Sequence, residues 1–391
     1  MKMKKIVDLK INGVSIIDFL FSNPILIFIL MVPFFKTDAY KISSFLSKYS
    51  ILALIIESSL FFFLNFFSKD KSNYLITILI YCCWVYILAP LIGKHASPSL
   101  FYMFQTIGII SFINIALKKN FKGNISNISK VFSFMTFLNF LTIVKGGIYS
   151  EYGVGTMFLY GLRTGITLPI LTTIFFSLTN DLVNKNKPIS FSSVVIIIIS
   201  FLSILKEWVA TGIVEICVFL LLYFVFYILK IKKNIKITNG LVAIFIINIL
   251  LSFLGASNNI VSYVASLLNK DITLTGRTYI WELCVKKVMN SPIFGYGNNT
   301  FVNIYGILKP AHNNWLNICL ESGFIGLTII LLSFYLSCKE LENNKNNKLY
   351  LIISIFYISI FVGSIVEIQT YFPFMYLAFS MPFLIRYDCG E

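Results

Sequence analysis

The chain has 391 residues, 57% of them hydrophobic and 16% aromatic, and its mean hydropathy is +0.83. A water-soluble domain of this composition would expose large apolar patches, so the composition excludes a soluble protein and indicates a polytopic membrane protein. The formal net charge of +15 comes mainly from lysines in short segments between apolar runs, which is typical of membrane orientation and not of nucleic-acid binding.

The apolar runs predict an all-α membrane protein. A helix needs about 20 residues to cross about 30 Å of hydrocarbon, and several runs of roughly this length carry few or no charges. The alternation of a membrane β-barrel is absent. The first run lacks a small-residue cleavage site and is expected to be an anchor. We predict one membrane domain, residues 1–391, with about twelve transmembrane helices centred near residues 26, 58, 82, 108, 136, 173, 197, 221, 247, 325, 357 and 378.

The basic residues predict the orientation of these helices. With the N-terminus in the cytoplasm, one side receives most of the basic residues of the short loops, as the positive-inside rule requires. We therefore expect a multi-pass protein of the cytoplasmic (inner) membrane with both termini cytoplasmic. The outer face then receives residues 145–164 and a long loop, residues 258–312, between the ninth and tenth helices. The cytoplasmic side carries Lys2, Lys4, Lys5, Lys10, Lys69, Lys71, Lys118, Lys119, Lys122, Lys185, Lys187, the run 230–236, Lys339, Lys345, Lys348 and Arg386.

Residues 276–326 are the one long polar interruption of the chain. Their first part, in the long outer loop, predicts a helix. Thr275 is a candidate cap for a helix over residues 276–290, and Pro292 would prevent its continuation. Its apolar residues lie near one face, which either lies on the membrane surface or packs against the protein. These residues are Ile280, Trp281, Cys284, Val285 and Val288.

Arginine is rare in this chain, with three residues, so each arginine is informative. A guanidinium group grips phosphate with a planar fork of donors that a lysine ammonium lacks. Arg386 follows the last apolar run and is explained as an orientation anchor. Arg163 and Arg277 are both expected on the outer face. There they indicate a specific anionic ligand, and contact with lipid headgroups is the alternative.

His312 is the candidate general base, because an imidazole accepts a proton near neutral pH. The alternative is a hydrogen-bonding surface histidine, which is also the interpretation for His95. Gly295 and Gly297 form a turn whose missing side chains let the backbone approach a ligand or another helix. Glutamates at or inside the helices are either functional or structural: Glu57, Glu215, Glu321 and Glu367. The seven cysteines lack metal-ligand spacing, and we predict neither a metal nor a cofactor.

Taken in order, the segments TGR, SPIFGYG, HNNWLN and ESGFIG resemble the Wzy-type polymerase and O-antigen ligase superfamily. The resemblance covers about 50 residues of the 391 and rests on Arg277, Pro292, Gly295, Gly297, His312, Gly323 and Gly326. Arg163, followed by Gly165, resembles an earlier outer-face arginine of that family. A third cationic motif is not evident, and Lys206 in LKEWVATGIVE stands where it would be. The resemblance also implies a GT-C-like fold.

The resemblance implies a metal-independent, inverting glycosyl transfer from an undecaprenyl-diphosphate-linked oligosaccharide at the outer face of the membrane. Arg163 and Arg277 would then stabilise the diphosphate leaving group, with Lys206 as a substitute third cation. His312 would act as the base or only orient a substrate. The expected substrate-binding residues are Lys206, Gly295, Tyr296, Gly297, Asn313 and Trp281, although interfacial anchoring is the commoner role of Trp and Tyr.

The leading functional hypothesis is an O-antigen or capsule repeat-unit polymerase, with membrane lipid and a chain-length regulator as possible partners. An O-antigen ligase or protein O-oligosaccharyltransferase is the alternative, because donor chemistry is shared and only the acceptor differs. A lipid-linked oligosaccharide flippase or other transporter is the alternative of another class. It should place cations in a central cavity across the bilayer, whereas Arg163 and Arg277 are expected at one edge.

Overall fold

The computed structural model describes residues 10–11, 14–35, 43–68, 73–93, 100–151, 155–230, 237–254 and 277–389. Within these ranges the chain is an assembly of apolar helices joined by short turns and ribbons. The helices are α1 (Ile16–Ser22), α2 (Pro24–Met31), α3 (Ser44–Phe66), α4 (Asn73–Cys83), α5 (Ala89–Gly93), α6 (Leu100–Lys119), α7 (Phe121–Val144), α8 (Thr167–Asn180), α9 (Phe191–Lys206), α10 (Ala210–Tyr223), α11 (Ile237–Leu254), α12 (Arg277–Asn290), α13 (Asn314–Asn343), α14 (Tyr350–Gly363) and α15 (Pro373–Ser380).

Seven helical stretches of the described chain are long and apolar enough to cross a membrane: Ser44–Phe66, Asn73–Ile92, Leu100–Lys119, Phe121–Val144, Arg163–Lys185, Ala210–Ile228 and Asn314–Asn343. Shorter apolar helices are Pro24–Phe35, Phe191–Lys206, Asn239–Leu250 and Tyr350–Gly363. Each of the twelve predicted centres falls inside one of these stretches, except residue 378, which lies in α15. The predicted all-α polytopic membrane fold is thereby confirmed.

The helices differ in how much of their surface they bury. α8 is the central helix, with every residue from Thr167 to Thr179 buried between α7, α9, α14 and α15. α3 instead leaves large apolar side chains such as Leu52 and Ile56 exposed, which suits lipid contact and not water. Between the buried helices, hydroxyl groups form short bonds, as between Thr136 and Thr173 at 2.7 Å. Such polar contacts hold apolar helices together without a hydrophobic driving force.

Short antiparallel ribbons connect some of the helices, which the hydropathy pattern does not predict. They are β1 (Lys10–Ile11) with β2 (Val14–Ser15), the ribbon of β3 (Tyr149–Glu151), β4 (Gly155–Phe158) and β5 (Gly161–Leu162), and the hairpin of β6 (Val302–Ile304) with β7 (Ile307–Lys309). The three-stranded ribbon leads from α7 to Arg163, and the hairpin leads to His312. Both ribbons therefore end beside predicted site residues.

Helix α13 is broken at Gly323, where the loop after α12 inserts into it. Gly323 has φ 59° and ψ −166°, a backbone conformation open mainly to glycine. The amides of Phe324 and Ile325 turn away from their own helix and donate to the Pro292 and Ile293 carbonyls, at 2.7 and 3.3 Å. The helix carbonyls released in this way accept from the loop amides of Tyr296 and Gly297, at 3.0 and 2.7 Å.

This exchange makes four bonds between loop and helix where a straight helix would make two of its own. It also requires close backbone contact, because a side chain at Gly323 would overlap the Ile293 carbonyl and one at Gly295 would overlap the Gly323 backbone. The SPIFGYG turn and the ESGFIG segment are thus two halves of one joint. This joint fixes the end of α12 relative to the start of α13.

Candidate active site

Helix α12 forms as expected and begins at Arg277, while Thr275, like His95 and the loop before residue 277, lies outside the described residues. Its apolar face packs against the protein. Ile280, Trp281, Cys284 and Val288 form a small core with residues of the hairpin, of α13 and of the segment between them. These residues are Val302, Ala311, Leu316 and Leu320. This packing holds the first residue of the helix, Arg277, in a defined place.

His312 lies between the hairpin and α13 in a left-handed backbone conformation, with φ 49°. Histidine is one of the residues that tolerate this conformation, which costs of order 1–3 kcal/mol when the surroundings enforce it. The next residue, Asn313, caps α13 because its Oδ1 accepts from the Leu316 amide at 2.9 Å. Its Nδ2 donates to the Ile365 carbonyl at 3.1 Å and to Asn248 Oδ1 at 2.7 Å. The strained His312 is therefore followed by a firmly bonded residue.

The second asparagine of the HNN sequence holds the loop of residues 364–372, which follows α14. Asn314 Oδ1 accepts hydrogen bonds from the backbone amides of Gln369 and Thr370, both at 2.9 Å. The backbone amide of Asn314 donates to the Ser364 carbonyl at 3.0 Å. Asn313 and Asn314 thus bond both ends of this loop. We call it the 364–372 loop, and it brings Glu367 to His312.

Arg277, Glu367 and His312 meet at one point. Arg277 Nη2 lies 3.0 Å from Glu367 Oε1, which is a charge-assisted hydrogen bond. His312 Nδ1 lies 3.9 Å from Glu367 Oε2, which is within ion-pair range but too long for a hydrogen bond. The side chains of these residues are partly exposed, at 22%, 16% and 31% for Arg277, Glu367 and His312. The cluster is therefore fixed by the protein and still open to a ligand.

A buried carboxylate supports the 364–372 loop from behind. Glu215 of α10 is fully buried, and its Oε1 accepts from Gln369 Nε2 at 2.8 Å. Gly363 makes room for it, because a side chain there would overlap the Glu215 carboxylate. On the other side, the Tyr371 hydroxyl donates to Glu321 Oε1 at 2.9 Å. Burial and the charge of Glu321 raise the pKa of Tyr371 well above its usual value, so this hydroxyl stays protonated and remains a donor.

Arg163 lies in the turn Arg163–Ile166 before α8 and is not in contact with the cluster in the described structure. Its side chain is exposed and makes no hydrogen bond or ion pair within the described ranges. Two residues later, Gly165 packs against Phe372 of the 364–372 loop, so closely that a Cβ atom at Gly165 would lie 3.1 Å from the Phe372 ring. The same loop therefore touches the segment of Arg163 and carries the partner of Arg277 and His312.

Lys206 is not part of this cluster in the observed arrangement. It ends α9, and its ammonium group donates to the Val144 carbonyl at the end of α7, at 3.1 Å. The lysine thus binds a helix C-terminus, where a positive charge is favourable. This bond uses one of the three N–H donors of its ammonium group.

The other predicted substrate-binding residues have structural contacts. The amides of Tyr296 and Gly297 donate to α13, and Gly297 also packs on Pro90. Trp281 is 1% exposed, so neither face of its indole is open for stacking on a sugar. Asn313 uses its amide group for the contacts described above. The geometry therefore favours positioning roles for Gly295, Tyr296, Gly297, Asn313 and Trp281 over the direct contacts that we predicted.

An apolar groove opens beside the cluster, between α11, α12 and α13, with a volume of about 120 Å³. It joins the cluster through Asn248, which accepts the hydrogen bond from Asn313. Its walls are almost entirely apolar. The lining residues are Phe245, Asn248, Ile249, Val285, Val288, Met289, Trp315, Leu316, Cys319, Phe324 and Leu327.

Comparison with known proteins finds similarity in the segment that builds this site. Residues 195–331 match the family described as O-antigen ligase (Wzy_C). Proteins of Rickettsia typhi (strain Wilmington) and Rickettsia prowazekii (strain Madrid E), both named "putative polysaccharide ligase", are 34% identical over an alignment of 84 residues. The alignment covers 18% of this chain and 21% of each relative. The chain thus matches about a fifth of the length of these curated relatives. The family match includes Arg277 and His312 and ends before Glu367.

Proposed function

Because residues 195–331 match the family described as O-antigen ligase (Wzy_C), we propose that this chain is a membrane glycosyltransferase that assembles a surface polysaccharide. Its donor is an undecaprenyl-diphosphate-linked oligosaccharide. The observation that carries this proposal is the convergence of Arg277, Glu367 and His312 from three separate elements, beside an apolar groove. A cation, a carboxylate and an imidazole provide what transfer from a lipid diphosphate to a hydroxyl group requires.

In the proposed reaction, the acceptor hydroxyl oxygen attacks the anomeric carbon of the donor sugar. The bond between this carbon and the phosphate oxygen breaks, and the lipid diphosphate leaves with the electron pair. A single displacement of this kind inverts the configuration at the anomeric carbon. Arg277, with Arg163 from the neighbouring loop, neutralises the charge that develops on the diphosphate, so no metal ion is needed for that purpose.

His312 accepts the proton of the acceptor hydroxyl at Nε2 in this proposal. Its Nδ1 faces Glu367 Oε2, so we assign the proton of the neutral ring to Nδ1. When the ring becomes an imidazolium, the carboxylate at 3.9 Å stabilises its charge. Glu367 also holds Arg277 before the donor binds. Since a guanidinium has five donors, Arg277 can keep this bond while it receives a phosphate.

The apolar groove gives the lipid part of the donor a place beside the cations. Asn248 of the groove lining accepts a hydrogen bond from Asn313, which follows His312. The almost wholly apolar lining suits the hydrocarbon of a polyprenyl chain. A diphosphate at Arg277 would thus be followed by a hydrocarbon chain between α11 and α13. In this proposal the reacting end of the lipid lies at the membrane face that the lysine pattern predicts to be the outer one.

The acceptor distinguishes two versions of this function. We propose a repeat-unit polymerase, whose acceptor is a sugar hydroxyl of a second lipid-linked oligosaccharide. The second candidate is a ligase, which transfers the glycan to another acceptor, and the names of the Rickettsia relatives favour it. The described cluster contains the donor-side chemistry that both versions share.

Reconstitution of the purified protein in vesicles with a radiolabelled lipid-linked repeat unit tests the proposal. A ladder of products without an added acceptor supports the polymerase, and transfer only to an added lipid-core or peptide acceptor supports the ligase. Movement of the donor across the vesicle membrane without any covalent product would contradict both versions and indicate a flippase. A Lys286→Gln variant is the matched control, because Lys286 lies on α12 but pairs with the exposed Glu282 at 2.7 Å.

A further inference from the structure

A second cavity lies at the opposite end of the molecule from His312. It is lined by Asn73, Asn114, Lys118, Glu340, Phe383, Leu384 and Arg386, and its volume is about 170 Å³. We call it the distal cavity. Asn314 and Glu340 are separated by roughly 39 Å of α13, at 1.5 Å per residue. The distal cavity therefore opens near the membrane surface that the lysine pattern predicts to be cytoplasmic, and it has no part in the glycosyl transfer proposed above.

One side of the distal cavity favours an anion. Lys118 comes from the last turn of α6, and Arg386 comes from the turn Ile385–Cys389 that follows α15. The Arg386 guanidinium donates to the Tyr387 hydroxyl at 3.1 Å and lies 5.0 Å from the Tyr387 ring, so it is held in place. Asn73 begins α4, whose positive dipole end adds to these two cations. Such a combination suits a phosphate group.

The other side of the distal cavity favours a hydrogen-bond donor. Asn114 is 2% exposed, and its Oδ1 accepts no hydrogen bond from any residue in the described ranges. The carboxylate of Glu340 also lines the cavity. An anion alone would leave the Asn114 oxygen unsatisfied and would be repelled by Glu340. The cavity therefore suits a ligand that carries both a phosphate and a group with N–H donors.

We propose that the distal cavity binds the headgroup of a phospholipid that carries a phosphate and a primary ammonium. The phosphate lies between Lys118 and Arg386, and the ammonium group donates to Glu340 and to Asn114 Oδ1. Phe383 and Leu384 provide the apolar wall from which the glycerol and acyl chains leave towards the surrounding bilayer. Basic pockets between transmembrane helices at this level are suited to lipid headgroups, and the ligand is available in the adjacent leaflet.

The test is lipid retention by the full-length protein. The protein is incorporated into nanodiscs with equal amounts of phosphatidylethanolamine, phosphatidylglycerol and phosphatidylcholine, re-extracted, and examined by native mass spectrometry. We expect retained phosphatidylethanolamine to exceed each of the others by about tenfold, because one charge-assisted hydrogen bond corresponds to roughly that factor. Phosphatidylcholine has the phosphate but no N–H donor, and phosphatidylglycerol lacks the ammonium group.

Variants separate the two halves of the distal cavity. Arg386→Gln should reduce total lipid retention, whereas Asn114→Ala should reduce the preference for phosphatidylethanolamine over phosphatidylcholine. Lys339→Gln is the matched control, because Lys339 is exposed, adjoins Glu340 on α13 and is not part of the lining. Equal retention of the three lipids by the wild-type protein, or a preference for phosphatidylglycerol, would overturn the proposal. So would an effect of Lys339→Gln as large as that of Arg386→Gln.

Discussion

Arg277 is the proposed phosphate ligand of the candidate site, and its residue type bears on that role. In a chain with 32 basic residues, of which three are arginines, it occupies a position where it bonds a carboxylate and can still receive a phosphate. Its bond to Glu367 uses one terminal nitrogen at 3.0 Å. The planar guanidinium keeps further N–H donors for a ligand in a fixed geometry. A lysine ammonium would offer the ligand only a point charge.

Replacement of Arg277 by lysine is therefore expected to reduce transfer from the lipid-diphosphate donor by about tenfold or more, and Arg277→Ala by roughly 10²–10³-fold. The measurement is the initial rate in vesicles at saturating acceptor. Lys286→Gln, on the exposed side of the same helix, should leave the rate unchanged. A lysine variant as active as the parent would mean that only the charge of Arg277 matters.

Glu367 is one of the four glutamates that the sequence leaves open as functional or structural. Its contacts with both Arg277 and His312 distinguish it from the other three. Glu367→Gln keeps the shape of the side chain and removes its charge, so both Arg277 and the imidazolium of His312 lose their anionic partner. We expect the transfer rate to fall on the order of tenfold to a hundredfold, since hydrogen bonds to charged groups contribute about 1.5–3 kcal/mol. Glu282→Gln is the control, because Glu282 is exposed on α12. An unchanged rate would leave Glu367 as a structural residue.

At the scale of elements, the joint between α12 and α13 explains two of the four glycines in the SPIFGYG and ESGFIG segments, Gly295 and Gly323. Gly323 and Gly295 both have positive φ, and neither has room for a side chain. The loop amides replace the helix amides as partners of the Leu320 and Glu321 carbonyls. The glycines thus act on the site indirectly, because the joint holds Arg277 at the start of α12 near His312 before α13.

Gly323→Ala should disturb this joint. We expect a loss of roughly 1–3 kcal/mol of stability and a lower transfer rate, because alanine must adopt a strained backbone or the loop must leave the helix. Thermal unfolding in detergent and the vesicle assay measure the two effects. Gly240→Ala is the matched control, since a side chain at Gly240 would meet nothing within 4 Å. Equal melting temperatures for the Gly323→Ala variant and the parent would contradict the importance of the joint.

For the whole molecule, hydropathy predicts the helices well. A run of about 20 apolar residues in a bilayer must make its backbone hydrogen bonds internally, and a helix does so within one segment. The rarity of arginine and histidine also pointed to Arg277 and His312, which the structure brings to the same carboxylate, Glu367. The role of Glu367 was not predictable, because it depends on contacts with residues 55 and 90 positions earlier in the chain. The same holds for Asn313 and Gly297, whose hydrogen bonds to distant segments cannot be inferred from local spacing.

If the apolar groove binds the lipid of the donor, the protein should distinguish donors by the length of their polyprenyl chain. Ile249→Trp would fill part of the groove from its exposed edge, whereas Ile246→Trp places the same ring on the lipid-exposed side of α11 outside the lining. We expect the first variant to raise the KM for a long-chain polyprenyl donor by roughly tenfold and to change little with a short-chain analogue. Kinetics with both donors measure this. Equal effects of the two variants would contradict lipid binding in the groove.

The central claim is that His312, held beside Glu367 and Arg277, accepts the proton of the acceptor in a glycosyl transfer. The most direct test is the single-turnover rate of His312→Ala with a lipid-linked donor in vesicles, using protein that melts like the parent. Loss of a general base should lower this rate by roughly 10²–10⁴-fold while donor binding persists. A His312→Ala protein that forms product at the parental rate would contradict the account.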